Sequence, residues 1–210
     1  MIDRIKKSKI GFMLYKSGLV DIDWIYGEKY YAGMDRSQAL RDAEQLVDAI
    51  IDTYSPSSVV AFGCGTGRLL YPFSRKNIEV YGIDDSSIAL EESQLPREYL
   101  EQHDLTQRYE PNEEYDIVLA IEILEHLPSN AADTAVASIA ESAPVVLVSA
   151  ATPGQGGTHH VNEQPSSYWI EKFENEGMQI RPEISKEILS EINLQDLEWI
   201  QDNLLVFENE

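Results

Sequence analysis

The sequence predicts an α/β fold in which helices cover a mostly parallel β-sheet. Short apolar runs alternate along the chain with segments of helical spacing, which is the pattern of repeated βαβ units. The run at residues 115–121 is predominantly apolar, as in strands that are buried on both faces. The length of 210 residues suits one compact domain, and the chain contains no internal repeat or low-complexity tract.

The first half of the chain supplies a long helix and three strands. The helix is expected over residues 35–53, where apolar side chains recur every three or four positions. The elements predicted behind it are a strand at 58–62, a helix at about 68–74, a strand at 78–83 that ends at Asp84, a short helix capped by Ser86 or Ser87, and a strand near 99–102.

The second half continues the alternation and then changes character. Residues 151–164 form a long polar loop with three glycines and two adjacent histidines, and such a loop in a compact domain is usually functional or mobile. The elements predicted around this loop are strands at 115–121 and 145–148, helices at 131–141, 166–176 and 184–192, and a closing pair of strands at 178–180 and 204–207.

Composition excludes several classes of function. Sixteen Lys and Arg residues against 37 Asp and Glu residues give a net charge of −21, which opposes binding to nucleic acid. This acidity is explained either by a well-solvated surface or by adaptation to high cytoplasmic salt. The sequence contains neither an apolar run of about 20 residues nor a signal-peptide pattern, so no membrane partner is expected. The single Cys64 cannot form an internal disulfide, and we therefore expect a cytoplasmic protein.

The strongest chemical signal is a strand that runs into three alternate glycines. Gly63, Gly65 and Gly67 follow the strand at 58–62 and precede a helix. Glycine allows a positive φ and the close approach of a ligand, and the helix behind the turn offers free N–H groups. A dinucleotide-binding turn would need its third glycine one position later, where this chain has Arg68. A tight turn without a ligand is the alternative.

Asp84 gives this turn a partner in the next strand. It follows Gly67 by 17 positions, at the place where an acidic residue can accept hydrogen bonds from ribose hydroxyls. Asp85 is a second candidate for the same contact. A simple helix cap is the alternative for Asp84.

Together these residues resemble the class I S-adenosylmethionine-dependent methyltransferases. The resemblance runs from about residue 35 to the end of the chain and rests on residues 60–67, 81–86, 102–105 and 115–128. It implies a Rossmann-like, doubly wound sheet of seven mostly parallel strands, with an antiparallel last strand and helices on both faces. It also divides the chain into an N-terminal flank or lid at 1–34, which is rich in aromatic residues, and a methyltransferase domain at 35–210.

The resemblance further implies that S-adenosyl-L-methionine is the cofactor. Asp84 would hold the ribose, Asp104 would accept from the adenine amino group, Leu105 would contribute its backbone, and Ile121 would lie beside the methionine arm. The complete set of implied cofactor residues is Gly63, Gly65, Gly67, Asp84, Asp85, Asp104, Leu105 and Ile121. One position departs from the family, which usually has an Asp or Glu where this chain has Ala61.

Three histidines are the candidate catalytic residues. His159 and His160 lie in the loop that this fold places beside the transferable methyl group, and a neutral imidazole there can accept a proton from a substrate hydroxyl. His160 is favoured, and an exposed loop histidine is the alternative. His126 follows Glu122 and Glu125 in a pattern similar to the metal-binding residues of small-RNA 2′-O-methyltransferases and ubiquinone-pathway O-methyltransferases. The same string is common in metal-free members, so no metal ligand is assigned.

The expected function is methyl transfer to a small polar acceptor, with O-methylation of a sugar or metabolite hydroxyl preferred. The alternatives are a cofactor-binding protein without turnover, acting as a regulator or a subunit of a complex, and a metal-assisted O-methyltransferase. A nicotinamide oxidoreductase shares the fold class but needs the other glycine spacing. Neither the acceptor nor the oligomeric state can be read from the sequence.

Overall fold

The computed structural model describes residues 9–17, 19–31, 37–190 and 192–209. Its strands are β1 (Ser58–Phe62), β2 (Glu79–Asp84), β3 (Leu100–Gln102), β4 (Ile117–Ile121), β5 (Val145–Ser149), β6 (Met178–Ile180) and β7 (Leu205–Asn209). Its helices are α1 (Lys9–Lys16), α2 (Ile22–Ile25), α3 (Glu28–Tyr31), α4 (Ser37–Tyr54), α5 (Leu70–Arg75), α6 (Ser87–Glu91), α7 (Ala132–Ser142), α8 (Ser166–Asn175), α9 (Pro182–Ser190) and α10 (Glu198–Asn203).

The strands of the described residues form one seven-stranded sheet in the order β3-β2-β1-β4-β5-β7-β6. Strands β1 to β5 pair in parallel, and β7 runs antiparallel to both of its neighbours, β5 and β6. The chain leaves β1 in one direction along the sheet and returns to β4 on the other side of β1. Open α/β sheets bind ligands at the carboxyl ends of the strands where the order reverses in this way. The predicted fold class is confirmed.

Two apolar cores lie on opposite faces of the sheet. One contains Val60 and Val118 and is closed by α7 and α8, with Trp169 and Phe173 among its buried side chains. The other contains the alternate strand residues, such as Val59, and is closed by α4, α5, α9 and α10. Successive side chains of a strand point to opposite faces, so strands that are buried on both sides must be apolar throughout. No helix within the described ranges is long and apolar enough to cross a bilayer.

Most predicted elements match the observed ones to within two residues. The helix predicted from residue 68 begins at Leu70, because the Gly67 carbonyl first accepts the N–H groups of Leu70 and Tyr71 in a turn. The helix predicted over 184–192 begins earlier, at Pro182, whose fixed φ suits a first helical position. The short helix α10 was not predicted.

The predicted boundary between residues 34 and 35 lies outside the described residues. The described part of the flank, residues 9–17 and 19–31, is called the N-terminal segment below. It contains the three short helices α1 to α3, and its Ile25, Tyr26 and Tyr31 form a small apolar cluster with Ala89 of α6.

A buried carboxylate anchors the loop between α9 and α10. Asp42 of α4 is fully buried, and one of its oxygens accepts the backbone N–H groups of Gln195, Asp196 and Leu197 at 2.6–3.0 Å. Its other oxygen accepts from Gln38 at 2.7 Å. Burial acts to raise the pKa of Asp42, but these four hydrogen bonds outweigh it and lower that pKa below its ordinary value.

Asp42→Ala should lower the free energy of unfolding by about 3 kcal/mol at pH 7, because three backbone N–H groups lose their acceptor. A carboxyl with a lowered pKa in the folded state stabilises above its unfolded pKa of about 4 and stops doing so once it is protonated. The difference between wild type and variant should therefore shrink as the pH falls toward about 3. Urea unfolding of wild type and variant at pH 7 and at about pH 3 measures this difference in the free energy of unfolding.

Asp48→Ala is the matched control on the same helix. Asp48 is exposed and pairs with Lys76 at 2.8 Å, so its loss should cost less than about 1 kcal/mol. Equal losses for the two variants would contradict the assigned role of Asp42.

Candidate functional site

The three alternate glycines form a left-handed turn directly after β1. Their φ angles are 69°, 55° and 78° for Gly63, Gly65 and Gly67, a conformation that side chains disfavour. A Cβ atom at Gly63 would lie 2.4 Å from Ile123, and one at Gly67 would lie 3.0 Å from Leu95, so both glycines are also needed for packing. A Cβ atom at Gly65 would meet nothing within 4 Å. The backbone of Gly65 therefore borders open space.

Asp84 ties this turn to the end of β2. Its Oδ2 accepts the Gly65 N–H at 2.8 Å, and its Oδ1 accepts the Ser86 N–H at 2.9 Å. Burial raises the pKa of Asp84 to about 6, although the two N–H groups act to lower it. Asp84 is not the cap of the following helix. Ser86 caps α6, because its Oγ accepts the Ala89 N–H at the start of that helix.

A first crevice, the acidic crevice, opens in front of Asp84. It encloses about 830 Å³ of atom-free space, which includes the open solvent at its mouth. Gly63, Gly65 and Ile123 line it together with four tyrosines of the N-terminal segment, Tyr15, Tyr26, Tyr30 and Tyr31. Predicted cofactor residues that line it are Gly63, Gly65, Asp84, Asp85, Asp104 and Leu105.

The N-terminal segment is hydrogen-bonded to the rim of the acidic crevice. Tyr15 Oη donates to the Asp85 carboxylate, and burial, with Asp85, raises the pKa of this phenol, so it stays neutral. The Asp23 carboxylate accepts from the hydroxyls of Ser86 and Ser87 at 2.5 and 2.6 Å. The segment therefore lies over the carboxyl end of β2 through polar contacts as well as through packing.

A second crevice, the loop crevice, lies on the other side of the glycine turn. It is wider, with about 2050 Å³ of atom-free space, and is bounded by Thr152–His160 and by α10. Ile121 lines this crevice rather than the acidic one. Gly63, Gly65, Glu122 and His126 line both crevices, so the two are the ends of one cleft.

A cluster of Glu125, His126 and His160 lies on the wall of the loop crevice. One ligand atom from each side chain lies within 4.8 Å of the other two. Glu125 is fully buried, and neither of its carboxylate oxygens makes a hydrogen bond of ordinary geometry among the described residues, although the N–H groups of Glu125 and Ala151 lie close enough to act on its pKa. Burial and the neighbouring Glu122 raise the pKa of Glu125 to about 8. Burial, followed by His160, lowers the pKa of His126 to about 3, so His126 is neutral at physiological pH.

The sequence placed Glu122 beside Glu125 and His126 in the metal-like pattern. In the structure Glu122 stays next to Glu125, but it is not part of the group of described ligand atoms that lie within 4.8 Å of one another. The Glu122 carboxylate accepts a hydrogen bond from Ser149 Oγ at 2.8 Å, and its backbone adopts a left-handed φ of 53°. His160, which is distant in sequence, joins the cluster instead. The burial of Glu122 raises its pKa.

The structure separates the two adjacent histidines of the loop. His159 is buried, faces the acidic crevice, and lies 5.3 Å from the Tyr26 ring, between centroids. His160 faces the loop crevice, with its ring centroid 5.0 Å from that of His126. The alternative of exposed loop histidines is wrong for both, since the exposed fractions are 6% for His159 and 12% for the His160 side chain. Of the two, only His160 lines the loop crevice.

Sequence reasoning missed two polar side chains, those of Glu163 and Asn203, whose hydrogen bonds shape the loop crevice. The Glu163 carboxylate accepts from Gly154, Gly156 and His160, and Gly154 is the main cause of its lowered pKa. Asn203 Nδ2 donates to Gln155 Oε1 at 2.9 Å and so joins α10 to the loop. An acidic residue three positions after a loop histidine was the available signal for Glu163. No comparable signal links residues 155 and 203.

Comparison with known proteins places these features in a family. A family model described as a methyltransferase domain matches residues 35–201. The ubiquinone biosynthesis O-methyltransferase of Rhodopseudomonas palustris (strain HaA2) is 39% identical over 72 residues, which are 31% of this chain and 28% of that protein. The chain thus covers little more than a quarter of the length of that curated relative.

Solved structures show the same fold at low sequence identity. DesVI of Streptomyces venezuelae superposes with a TM-score of 0.64 and 16% identity, covering 88% of this chain and 97% of that one. The sugar N-methyltransferase KedS8 from Streptoalloteichus sp. ATCC 53650 superposes with a TM-score of 0.66 and 13% identity, covering 87% of this chain and 92% of that one. At such identities the likeness concerns the fold alone.

The raised pKa of Asp84 predicts a pH dependence of ligand affinity. An ionised carboxylate is a stronger acceptor than a neutral carboxyl for the ribose hydroxyls that Asp84 is expected to hold, so wild-type affinity for S-adenosylmethionine should fall by up to about tenfold between pH 7 and pH 5. Asp84→Asn should bind more weakly at pH 7 and respond less to pH. Some response will remain, because burial also raises the pKa of Asp85. Calorimetric titration measures both.

Glu174→Gln, on the exposed face of α8, is the control and should keep the wild-type response. An unchanged pH dependence in Asp84→Asn would show that another group controls affinity.

Proposed function

Because the chain belongs to the methyltransferase domain family, we propose that it transfers a methyl group from S-adenosyl-L-methionine to a small polar acceptor. The observation that carries this proposal is the shared wall of the two crevices, where the glycine turn, Glu122 and His126 face both. A cofactor in the acidic crevice and an acceptor in the loop crevice would meet at that wall. Such alignment, with exclusion of water, is the main contribution of a protein to a displacement reaction.

The acidic crevice fits the adenosine part of this cofactor. Asp84 offers buried acceptors for ribose hydroxyls, and Asp104 and the Leu105 backbone, which line the same crevice, are the groups that we assign to the adenine. The open space beside Gly65 is the cradle that a side chain would fill. When bound, S-adenosylmethionine supplies an electrophilic methyl group on a sulfonium. The tyrosines of the N-terminal segment support the proposal that this segment acts as a lid.

Glu122 is the residue that we assign to the cofactor's ammonium group. Position 61, where the family usually has a carboxylate, is a buried Ala61 here. Glu122 lines both crevices beside Gly63 and Gly65, and Ser149 holds its carboxylate in place. Its raised pKa reflects burial without a cation, a cost that a bound ammonium would remove.

His160 is the proposed general base for an acceptor hydroxyl. It lines the loop crevice, and a neutral imidazole can take the proton that the hydroxyl loses on methylation. Among the described residues that line this crevice, the acidic ones are Glu122, Glu125, Glu198 and Asp202, and the basic one is Arg68. This excess of carboxylates disfavours phosphorylated acceptors. We therefore propose an uncharged sugar or metabolite hydroxyl, and an amine is the next choice, as in the sugar N-methyltransferase KedS8.

Metal-assisted O-methylation is the second candidate, and the cluster of Glu125, His126 and His160 favours it. One carboxylate and two imidazoles form a donor set that suits a divalent transition-metal ion. The buried Glu125 oxygens, which make no hydrogen bond of ordinary geometry among the described residues, fit this reading, because a cation would satisfy them. An ion held there would polarise an acceptor hydroxyl.

The test is a methyl-transfer assay with radiolabelled S-adenosylmethionine across neutral sugars, amino sugars and sugar phosphates. The protein is first dialysed against a chelator and then assayed with and without Mn²⁺, Zn²⁺ or Mg²⁺. Transfer that survives chelation supports His160 as base, whereas transfer restored by an ion supports the metal-assisted reaction. Cofactor binding without transfer to any acceptor would support a binding protein without turnover. We also propose a cytoplasmic location, because the single cysteine, Cys64, is free.

Glu122→Gln should weaken S-adenosylmethionine binding about ten- to hundredfold, because a charge-assisted hydrogen bond to the ammonium is lost. Calorimetry measures the affinity directly. Glu198→Gln, on the α10 wall of the loop crevice, should leave that affinity unchanged. Equal effects of the two substitutions would remove Glu122 from the cofactor site.

His160→Ala should lower kcat by about a hundredfold or more while cofactor affinity stays constant. Steady-state kinetics with the best acceptor, together with calorimetry, measures the two quantities. Thr158→Ala changes a neighbouring residue of the same crevice and is the control. A wild-type kcat in His160→Ala would exclude His160 from proton transfer and from metal binding.

A further inference from the structure

We propose that Glu163 is a positioning residue that closes the loop at Thr152–Glu163 on itself and orients the His160 imidazole toward Glu125. This inference rests on the proposed function, because it gives His160 a defined orientation at the acceptor end of the cleft. It adds a residue that neither the family resemblance nor the motif analysis identified.

The Glu163 carboxylate is the centre of the loop's polar contacts. Its Oε2 accepts the Gly154 N–H at 2.9 Å, and its Oε1 accepts the Gly156 N–H at 2.8 Å. The same Oε1 lies 3.1 Å from His160 Nδ1. One side chain therefore satisfies two backbone donors of the glycine-rich stretch and one imidazole nitrogen.

The contact with Glu163 defines the proton position on His160. An ionised carboxylate can only accept hydrogen bonds, so Nδ1 must carry the proton. In the neutral ring, Nε2 then carries the lone pair. Nε2 lies 3.9 Å from Glu125 Oε1, on the wall of the loop crevice. Glu163 thus turns the basic nitrogen of His160 toward Glu125, which lines the loop crevice.

The backbone around His160 restricts the ring from two further sides. A Cβ atom at Gly157 would lie 2.2 Å from His160 Nε2, so the ring packs directly on the backbone of a residue that must be glycine. The N–H groups of Val161 and Asn162 donate to the Glu125 carbonyl oxygen at 2.9 and 3.0 Å. These contacts restrict the position of the His160 ring, and the hydrogen bond to Glu163 restricts its rotation about the side-chain bonds.

Glu163 acts through His160 rather than on a substrate. Each of its two oxygens already accepts a hydrogen bond from within the loop. Residues that accept a hydrogen bond from the second ring nitrogen of a catalytic or metal-binding histidine typically contribute about ten- to hundredfold to activity or metal affinity. The same orientation serves His160 whether it accepts a proton or binds an ion.

The experiment compares Glu163→Ala and Glu163→Gln with Glu174→Gln, a charge-matched change on the exposed face of α8. Long-range ¹⁵N–¹H NMR of histidine-labelled protein reports which His160 nitrogen carries the proton, and His160→Ala assigns the signals. Wild type should show the Nδ1–H form. Glu163→Ala should show a mixture of the two neutral forms, and Glu174→Gln should match wild type.

Kinetics provide the second readout. Glu163→Ala should lower kcat about ten- to hundredfold with KM and affinity for S-adenosylmethionine unchanged, and Glu163→Gln should fall between it and wild type. Gly157→Ala should lower kcat similarly with Glu163 intact, because the added methyl displaces the ring. If Glu163→Ala does not fold, the kcat values and NMR signals of Glu163→Gln and Gly157→Ala test the proposal in its place.

An Nε2–H form in the wild type would overturn the proposal, and so would a Glu163→Ala variant with wild-type NMR signals and kcat. Failure of the proposed function is distinguishable from these outcomes. A protein that methylates no acceptor still reports its His160 proton position by NMR, so the orientation by Glu163 is tested without turnover.

Discussion

The hydrogen bonds of the Asp84 carboxylate hold the site together. By accepting N–H groups from Gly65 and Ser86, one buried side chain joins the turn after β1 to the helix after β2. The glycine turn also packs Gly63 against Ile123, and Ile123 precedes the short helical turn that carries Glu125 and His126. Both ends of the cleft therefore depend on a contact made at the central strands of the sheet.

The fold could be predicted from the sequence because the central strands β1, β4 and β5 are apolar on both faces and each long helix is apolar on one. Val59 and Val60 point into different cores, so the strand has no polar side to obscure it. The helix α10 was missed because no side chain caps its start, and because packing of Ile200 against the core, rather than its own periodicity, holds it in place.

The candidate site was predictable where neighbouring residues in the sequence determine the backbone, and less so where it depends on contacts between residues that are distant in the sequence. The glycines of the turn and Asp84 follow from the strand–turn–helix pattern. The position of His160 beside His126, in place of Glu122, depends on the path of a loop that has no regular structure. Glu163 was missed for the same reason, since its donors lie seven and nine positions earlier in the chain.

The interior position of β7 has a consequence for biosynthesis. This strand lies between β5 and β6, and its Phe207 stacks on Phe173 in one of the two cores, with ring centroids 4.6 Å apart. Until residues 205–209 emerge from the ribosome, β5 is an open edge and β6 has no neighbour in the sheet. The sheet can therefore close only after residues 205–209 are available, and until then the edge of β5 is exposed to pairing with other chains.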